Sequence, residues 1–287
     1  MSRLLGLGVG VLCLVAAVFA QDATLHVPSA AVAGSSASIE TTGNGAATFY
    51  LSGPAISLKR EVQLGHEIAL TPKELENAGR YVAIVCAGGC SSAPFFVAPA
   101  KPVSLTFLVH PSRAPVGQNE VISGVAIPFD EFHNLVFTPV SVDFQLTAKG
   151  SAPASHKVET QGGVAWFHTN SGRAAGPLQV VASINDVTAR RVVQQVASDP
   201  CNLRIKGQRT PTGVVVETDP VRDCSGNPVP DGTIVTFTAK TGNDTSTVDA
   251  PVKQDVARAR ITAKGPLVIS AASGVVMGNE LRIGGQE

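Results

Sequence analysis

The chain has 287 residues, enough for about two domains, or three if they are small β-sandwiches. Its 22 Lys and Arg balance 22 Asp and Glu, so no basic footprint marks it for nucleic acid or for an anionic membrane surface. With 15% charged and 44% hydrophobic residues it is no disordered tail, and many Val, Thr and Ser with only 2 Met favour short strands over long helices.

Residues 1–20 carry one positive charge, Arg3, and then an apolar run from Leu4 to Phe19. Small residues at Val18 and Ala20 precede the polar pair Gln21-Asp22, which predicts a cleaved signal peptide. The run is shorter than the roughly 20 residues that a spanning helix needs. Cys13 follows Leu12, not the small residue expected before a lipidated cysteine. The glycine-rich stretch Gly6-Leu7-Gly8-Val9-Gly10 belongs to this segment and cradles no phosphate after cleavage. No later segment reaches spanning length, so the mature chain is expected to be exported and soluble.

The next block, 21–98, alternates short apolar runs with turn clusters, and strands are predicted at 23–27, 36–40, 47–51, 61–64 and 67–70. Thr71-Pro72-Lys73-Glu74 reads as a capping box with Pro at the first helical position, hence one helical turn between sheets. Asn77-Ala78-Gly79-Arg80-Tyr81 resembles the tyrosine corner of immunoglobulin-like folds. Setting Cys13 aside, 4 of the 5 cysteines remain, Cys86, Cys90, Cys201 and Cys224, and an even number in an exported chain points to disulfides. Cys86 and Cys90 flank Ala87-Gly88-Gly89 between two strands, so a local bridge would staple a hairpin. A redox pair or half a metal site is the rival reading, but the spacing is not C-x-x-C and no His lies nearby. Cys201 with Cys224 then follows by elimination.

Two Pro-bearing joints, Ala98-Pro99-Ala100-Lys101-Pro102 and Ala197-Ser198-Asp199-Pro200, divide the rest. The expected division is a signal peptide at 1–20 and sandwich-sized blocks at 21–98, 99–198 and 199–287. The second and third blocks repeat each other. Asp130-Glu131-Phe132-His133-Asn134-Leu135-Val136 aligns with Asp223-Cys224-Ser225-Gly226-Asn227-Pro228-Val229, and Val142-Asp143-Phe144 with Val235-Thr236-Phe237. Val164-Ala165 and Gly176-Pro177-Leu178 continue the match with Val256-Ala257 and Gly265-Pro266-Leu267.

The stretch from Asp223 to Phe237 resembles the bacterial immunoglobulin-like repeat of the invasin and intimin type, whose D-x-x-G-N-P-V turn leads into V-x-F. The second block departs from that pattern, with Phe132-His133 where the turn should be Gly-rich. Composition and block size predict an all-β chain of three tandem immunoglobulin-like sandwiches, the first sharing only the general sandwich pattern, and the resemblance of the third block implies a surface-associated role. The resemblance does not extend to the family's outer-membrane anchor. Topology agrees with the second disulfide: adjacent antiparallel strands would place Cys201, at the start of one, beside Cys224, after the other.

No G-x-S-x-G elbow, H-E-x-x-H helix or P-loop occurs, and the 6 histidines show no metal-ligand spacing. His168 and Ser171 lie close together without an evident orienting carboxylate, and Asp130, Glu131 and His133 read as a solvated turn. Asn243-Asp244-Thr245 matches a glycosylation acceptor, which means little in the bacterial source that the resemblance implies. No catalytic residue, metal or cofactor is expected.

Trp166, the only tryptophan, aligns with Arg258. If Arg258 and Arg260 face solvent, Ala165 and Phe167 point inward, and Trp166 and His168 outward. A slip of one residue would bury Trp166 instead. The function expected is a non-enzymatic scaffold or adhesion module at the cell surface or secreted. Its partner would be a protein or polysaccharide of the envelope or surroundings, and its contact residues Trp166 and His168. A carbohydrate- or peptide-binding accessory module is the alternative, and a hydrolase with a dispersed site is a third.

Overall fold

The computed structural model describes residues 23–148 and 150–284. The segment read as a signal peptide, with Cys13 and its glycines, lies outside the described residues. The chain forms two compact units, divided between Ala100 and Lys101. Regular structure is almost all strand. Among the described residues a single 3-10 turn, Pro72–Leu75, is the only helical element.

The first unit contains β1 (Leu25–His26), β2 (Ala31–Val32), β3 (Ala37–Thr41), β4 (Ala46–Ser52), β5 (Ser57–Gln63), β6 (Ile68–Leu70), β7 (Gly79–Ala87) and β8 (Gly89–Ala98). They make a three-stranded sheet, β1-β3-β6, and a five-stranded one, β2-β8-β7-β4-β5. Alternation along β4 and β7 sends Phe49, Leu51, Tyr81, Ala83 and Val85 inward. Thr71 and Glu74 close the capping box reciprocally over the 3-10 turn, which buries Leu75. The Tyr81 hydroxyl donates to the Asn77 carbonyl at 2.9 Å, and its ring stacks on Phe95. Gly53 has to be glycine, since a Cβ there would meet the Tyr81 ring at 2.3 Å.

Two elements differ from expectation. The strand β5 begins at Ser57, not at 61, because an edge strand with both faces part-exposed carries no apolar alternation to mark its start. The strand β2 was not expected at all: two residues, Ala31 and Val32, pair in parallel with Val97 and Ala98.

The second unit opens with β9 (Ser104–His110), β10 (Arg113–Pro115), β11 (Ile122–Phe129), β12 (Ser141–Ala148), β13 (Ala154–Glu159), β14 (Ala165–Thr169), β15 (Gly176–Ile184) and β16 (Val187–Val196). Their sheets, β9-β11-β14 and β10-β16-β15-β12-β13, repeat the strand order of the first unit. The chain changes sheets between β9 and β10, at the cis peptide His110-Pro111, and β10 runs parallel to β16 as β2 does to β8. Phe107, Phe144 and Phe167 pack through the core as tilted ring pairs, with centroids 5.9 and 4.6 Å apart. Gly124 makes room for them, since a Cβ there would meet the Phe167 ring at 2.2 Å.

The remainder is β17 (Pro200–Cys201), β18 (Ile205–Thr210), β19 (Gly213–Thr218), β20 (Arg222–Asp223), β21 (Ile234–Thr241), β22 (Asp244–Lys253), β23 (Val256–Ile261), β24 (Leu267–Ser273), β25 (Val276–Met277) and β26 (Leu281–Ile283). Here the hairpin β22-β23 joins what would be two sheets into one that wraps a separate core around Val216, Val235, Phe237 and Ile269.

The repeated turns share the same internal hydrogen bonds. Asp130 Oδ1 accepts from the amides of Phe132 and Asn134, and Asp223 Oδ1 from those of Ser225 and Asn227, all at 2.8 to 3.0 Å. The amide nitrogen of Asn134 or Asn227 donates back to the carboxylate of its own turn. The residue before each Asn has positive φ, 64° at His133 and 86° at Gly226. The missing glycine therefore does not change the turn, because His enters the left-handed region more readily than most side chains. Glu131 and His133 are exposed, as a solvated turn requires, but Asp130 itself is only 1% exposed. Its carboxylate is consumed by the turn.

Candidate functional site

In β14 the side chains alternate strictly: Ala165 and Phe167 are buried, Trp166 is 57% exposed and His168 is exposed. The structure brings Trp166 and His168 together, with ring centroids 5.3 Å apart and planes at 80°. The sheet β9-β11-β14 then supplies neighbours that no local pattern announces. Across its strands Trp166 lies opposite Val125, and Val125 opposite Leu108, which is 59% exposed. One step along, His168, Ser123 and His110 form a second row, polar throughout. None of the outward-facing residues of these three strands is Asp, Glu, Lys or Arg.

The last block holds the same lattice positions. There the row opposite Arg258 is Glu217 and then Lys206. Arg258 Nη2 lies 2.6 Å from Glu217 Oε2, and Lys206 Nζ 3.3 Å from Glu217 Oε1. Hydrogen bonds from Arg258 and Lys206 hold the Glu217 carboxyl below its usual range. In the first unit the matching sheet presents exposed Glu40 with exposed His26 beside it. Equivalent strands thus present an outward row that is ionic at Lys206–Glu217–Arg258, carries a carboxylate at Glu40, and is apolar at Leu108–Val125–Trp166. Leu108 and Val125 escaped sequence reasoning because their nearness to Trp166 is a matter of register between distant strands.

The other singled-out residues serve structure. Cys86 and Cys90 are bonded and sit opposite each other in the β7-β8 hairpin, and Cys201 and Cys224 are bonded where β17 pairs with β20. Ser171 is buried, its hydroxyl bonded to the backbone of Gln118, so it is not set up beside His168 as a nucleophile. Among the described residues no group of three or more His, Cys, Asp or Glu is placed to hold a metal, and no helix is long and apolar enough to cross a membrane.

No family model matches the chain, and no curated protein matches it in sequence. Solved structures do match in fold. FdeC, a broadly conserved Escherichia coli adhesin, aligns with a TM-score of 0.68 at 17% identity, over 92% of this chain and 96% of that one. InvD of Yersinia pseudotuberculosis aligns at 0.56 and 12%, over 92% and 98%. Invasin, a bacterial integrin-binding protein, aligns at 0.53 and 12%, with 92% of this chain spanning 60% of invasin's. At such identities the likeness is one of fold. The shared fold covers nearly the whole described chain.

Proposed function

We propose that the chain is an exported, non-enzymatic adhesion module. In this reading a signal peptide at 1–20 is cleaved, and immunoglobulin-like blocks at 21–98, 99–198 and 199–287 act as the scaffold. The middle block presents the contact surface through Trp166 and His168. The observation that carries the reading is the exchange at equivalent positions: Lys206–Glu217–Arg258 is ion-paired and solvated, whereas Leu108–Val125–Trp166 leaves large apolar side chains in water. Two disulfides suit an oxidising compartment. The adhesins that share the fold suit a surface role, with a protein or polysaccharide of the envelope or surroundings as partner.

Cell fractionation of the producing organism should find the chain outside the cytoplasm. Labelled mature chain should be retained on cell or matrix surfaces. Trp166→Thr should lower that retention at least about tenfold, the weight of one aromatic anchor, while Arg258→Ser leaves it unchanged. Equal retention by all three chains would remove the face from consideration.

A further inference from the structure

We infer that the occupant of the Trp166 face is an uncharged glycan chain, with one pyranose ring lying against the indole. The inference rests on the reading of this face as the contact surface and adds the chemistry of what it holds. Charge comes first. With no Asp, Glu, Lys or Arg pointing outward from β9, β11 or β14, an anionic polysaccharide or a charged peptide finds no formal counter-charge there.

Polarity comes second. A pyranose offers an apolar C–H face ringed by hydroxyls, and this sheet offers the matching arrangement. The apolar row Leu108–Val125–Trp166 runs beside the row His110–Ser123–His168, about 7 Å away along the strands. Imidazole and hydroxyl groups can each donate and accept, as sugar hydroxyls do. The Ser123 hydroxyl donates to the His110 carbonyl at 3.4 Å, so its lone pairs remain as acceptors. The edge-on packing of His168 against Trp166 gives the indole a partner before any ligand arrives.

Size comes third. Three strands about 5 Å wide and four rows about 7 Å deep make a face of about 400 Å² in plan, about half of the roughly 800 Å² per partner of a standard protein interface. Trp166 and Leu108 stand 57% and 59% exposed on this face, unlike groups enclosed in the pockets that hold small molecules. A short run of a polymer fits it better than a second protein or a free sugar.

Because Trp166 is the only tryptophan, its fluorescence reports this face alone. The full mature chain would be titrated with soluble galactomannan, xyloglucan and dextran, with alginate as the anionic comparison, and run through native gels containing each. At least one neutral glycan should shift the emission and retard the chain, while alginate does neither. Trp166→Thr should weaken retardation at least about tenfold, and Trp166→Phe, which keeps an aromatic face, should retain most of it. Retardation that persists in Trp166→Thr, or none with any neutral glycan, overturns the glycan assignment. If the glycans fail while Trp166→Thr still abolishes surface retention, the contact face stands and its occupant is a protein. If both fail, both readings fall.

Discussion

Asp223 shows how much one carboxylate can organise. It is 4% exposed and accepts from the amides of Ser225 and Asn227, from the Asn227 side chain, and from Ser198 in the joint before it. Burial opposes its charge, but the hydrogen bonds from Asn227, Ser198 and Ser225 outweigh burial and hold its carboxyl below the usual range. A carboxyl depressed in the folded state stabilises the fold fully above the ordinary value near 4. That contribution is lost as pH falls through the lower folded value. Urea denaturation followed against pH should therefore show stability falling below about pH 4. Asp223→Asn should flatten its share of that fall and cost about 1–3 kcal/mol near neutrality, because its amide nitrogen faces donors and not acceptors. An unchanged pH slope in the variant would show that this carboxylate does not govern the acid limb.

At the scale of elements, the two disulfides staple very different lengths of chain. Cys86 and Cys90 are separated by 4 positions at the end of a hairpin that is paired down to Ala87 and Gly89. Cys201 and Cys224 are separated by 23 and hold the end of a joint against the turn that Asp223 builds. Chain-entropy arithmetic assigns about 2 kcal/mol to the first closure and about 3.5 kcal/mol to the second. Paired Cys→Ser variants measured by chemical denaturation should keep that order, with the hairpin pair costing less. The reverse order would mean that the β7-β8 ladder does not hold its tip without the bridge.

For the larger assembly, the telling contact within residues 101–287 is made by Asn227. Besides closing its own turn, its side chain accepts from the Ala175 amide at 2.9 Å and donates to the Arg173 carbonyl at 2.7 Å. One residue therefore splices the turn of the last block to a loop of the block before it. Asn227→Ala should remove about 1–2 kcal/mol of local stability. Hydrogen exchange should then quicken about tenfold in peptides covering 171–176 and 197–201, with the Phe144 and Phe237 strands unaffected. Unchanged protection in those peptides would show that the splice carries no coupling.

What the sequence by itself determined is whatever local chemistry writes into a few adjacent residues. The capping box at Thr71, the corner at Tyr81 and the alternation of β23 and β14 depend on spacings of one to four residues, and all were legible. So was the repeated Asp-to-Asn turn, although His133 in place of glycine obscured its second copy. Tertiary structure alone decided which strands lie side by side. The edge strand β5 and the two-residue β2 carry no period of their own, and the joining of the last block's sheets depends on β22 pairing with β23. Above all, Leu108 and Val125 come to flank Trp166 only through the register of three strands far apart in the chain. Periodicity says which face a side chain takes, but its neighbours on that face are fixed by hydrogen-bonded pairing, which no local window contains.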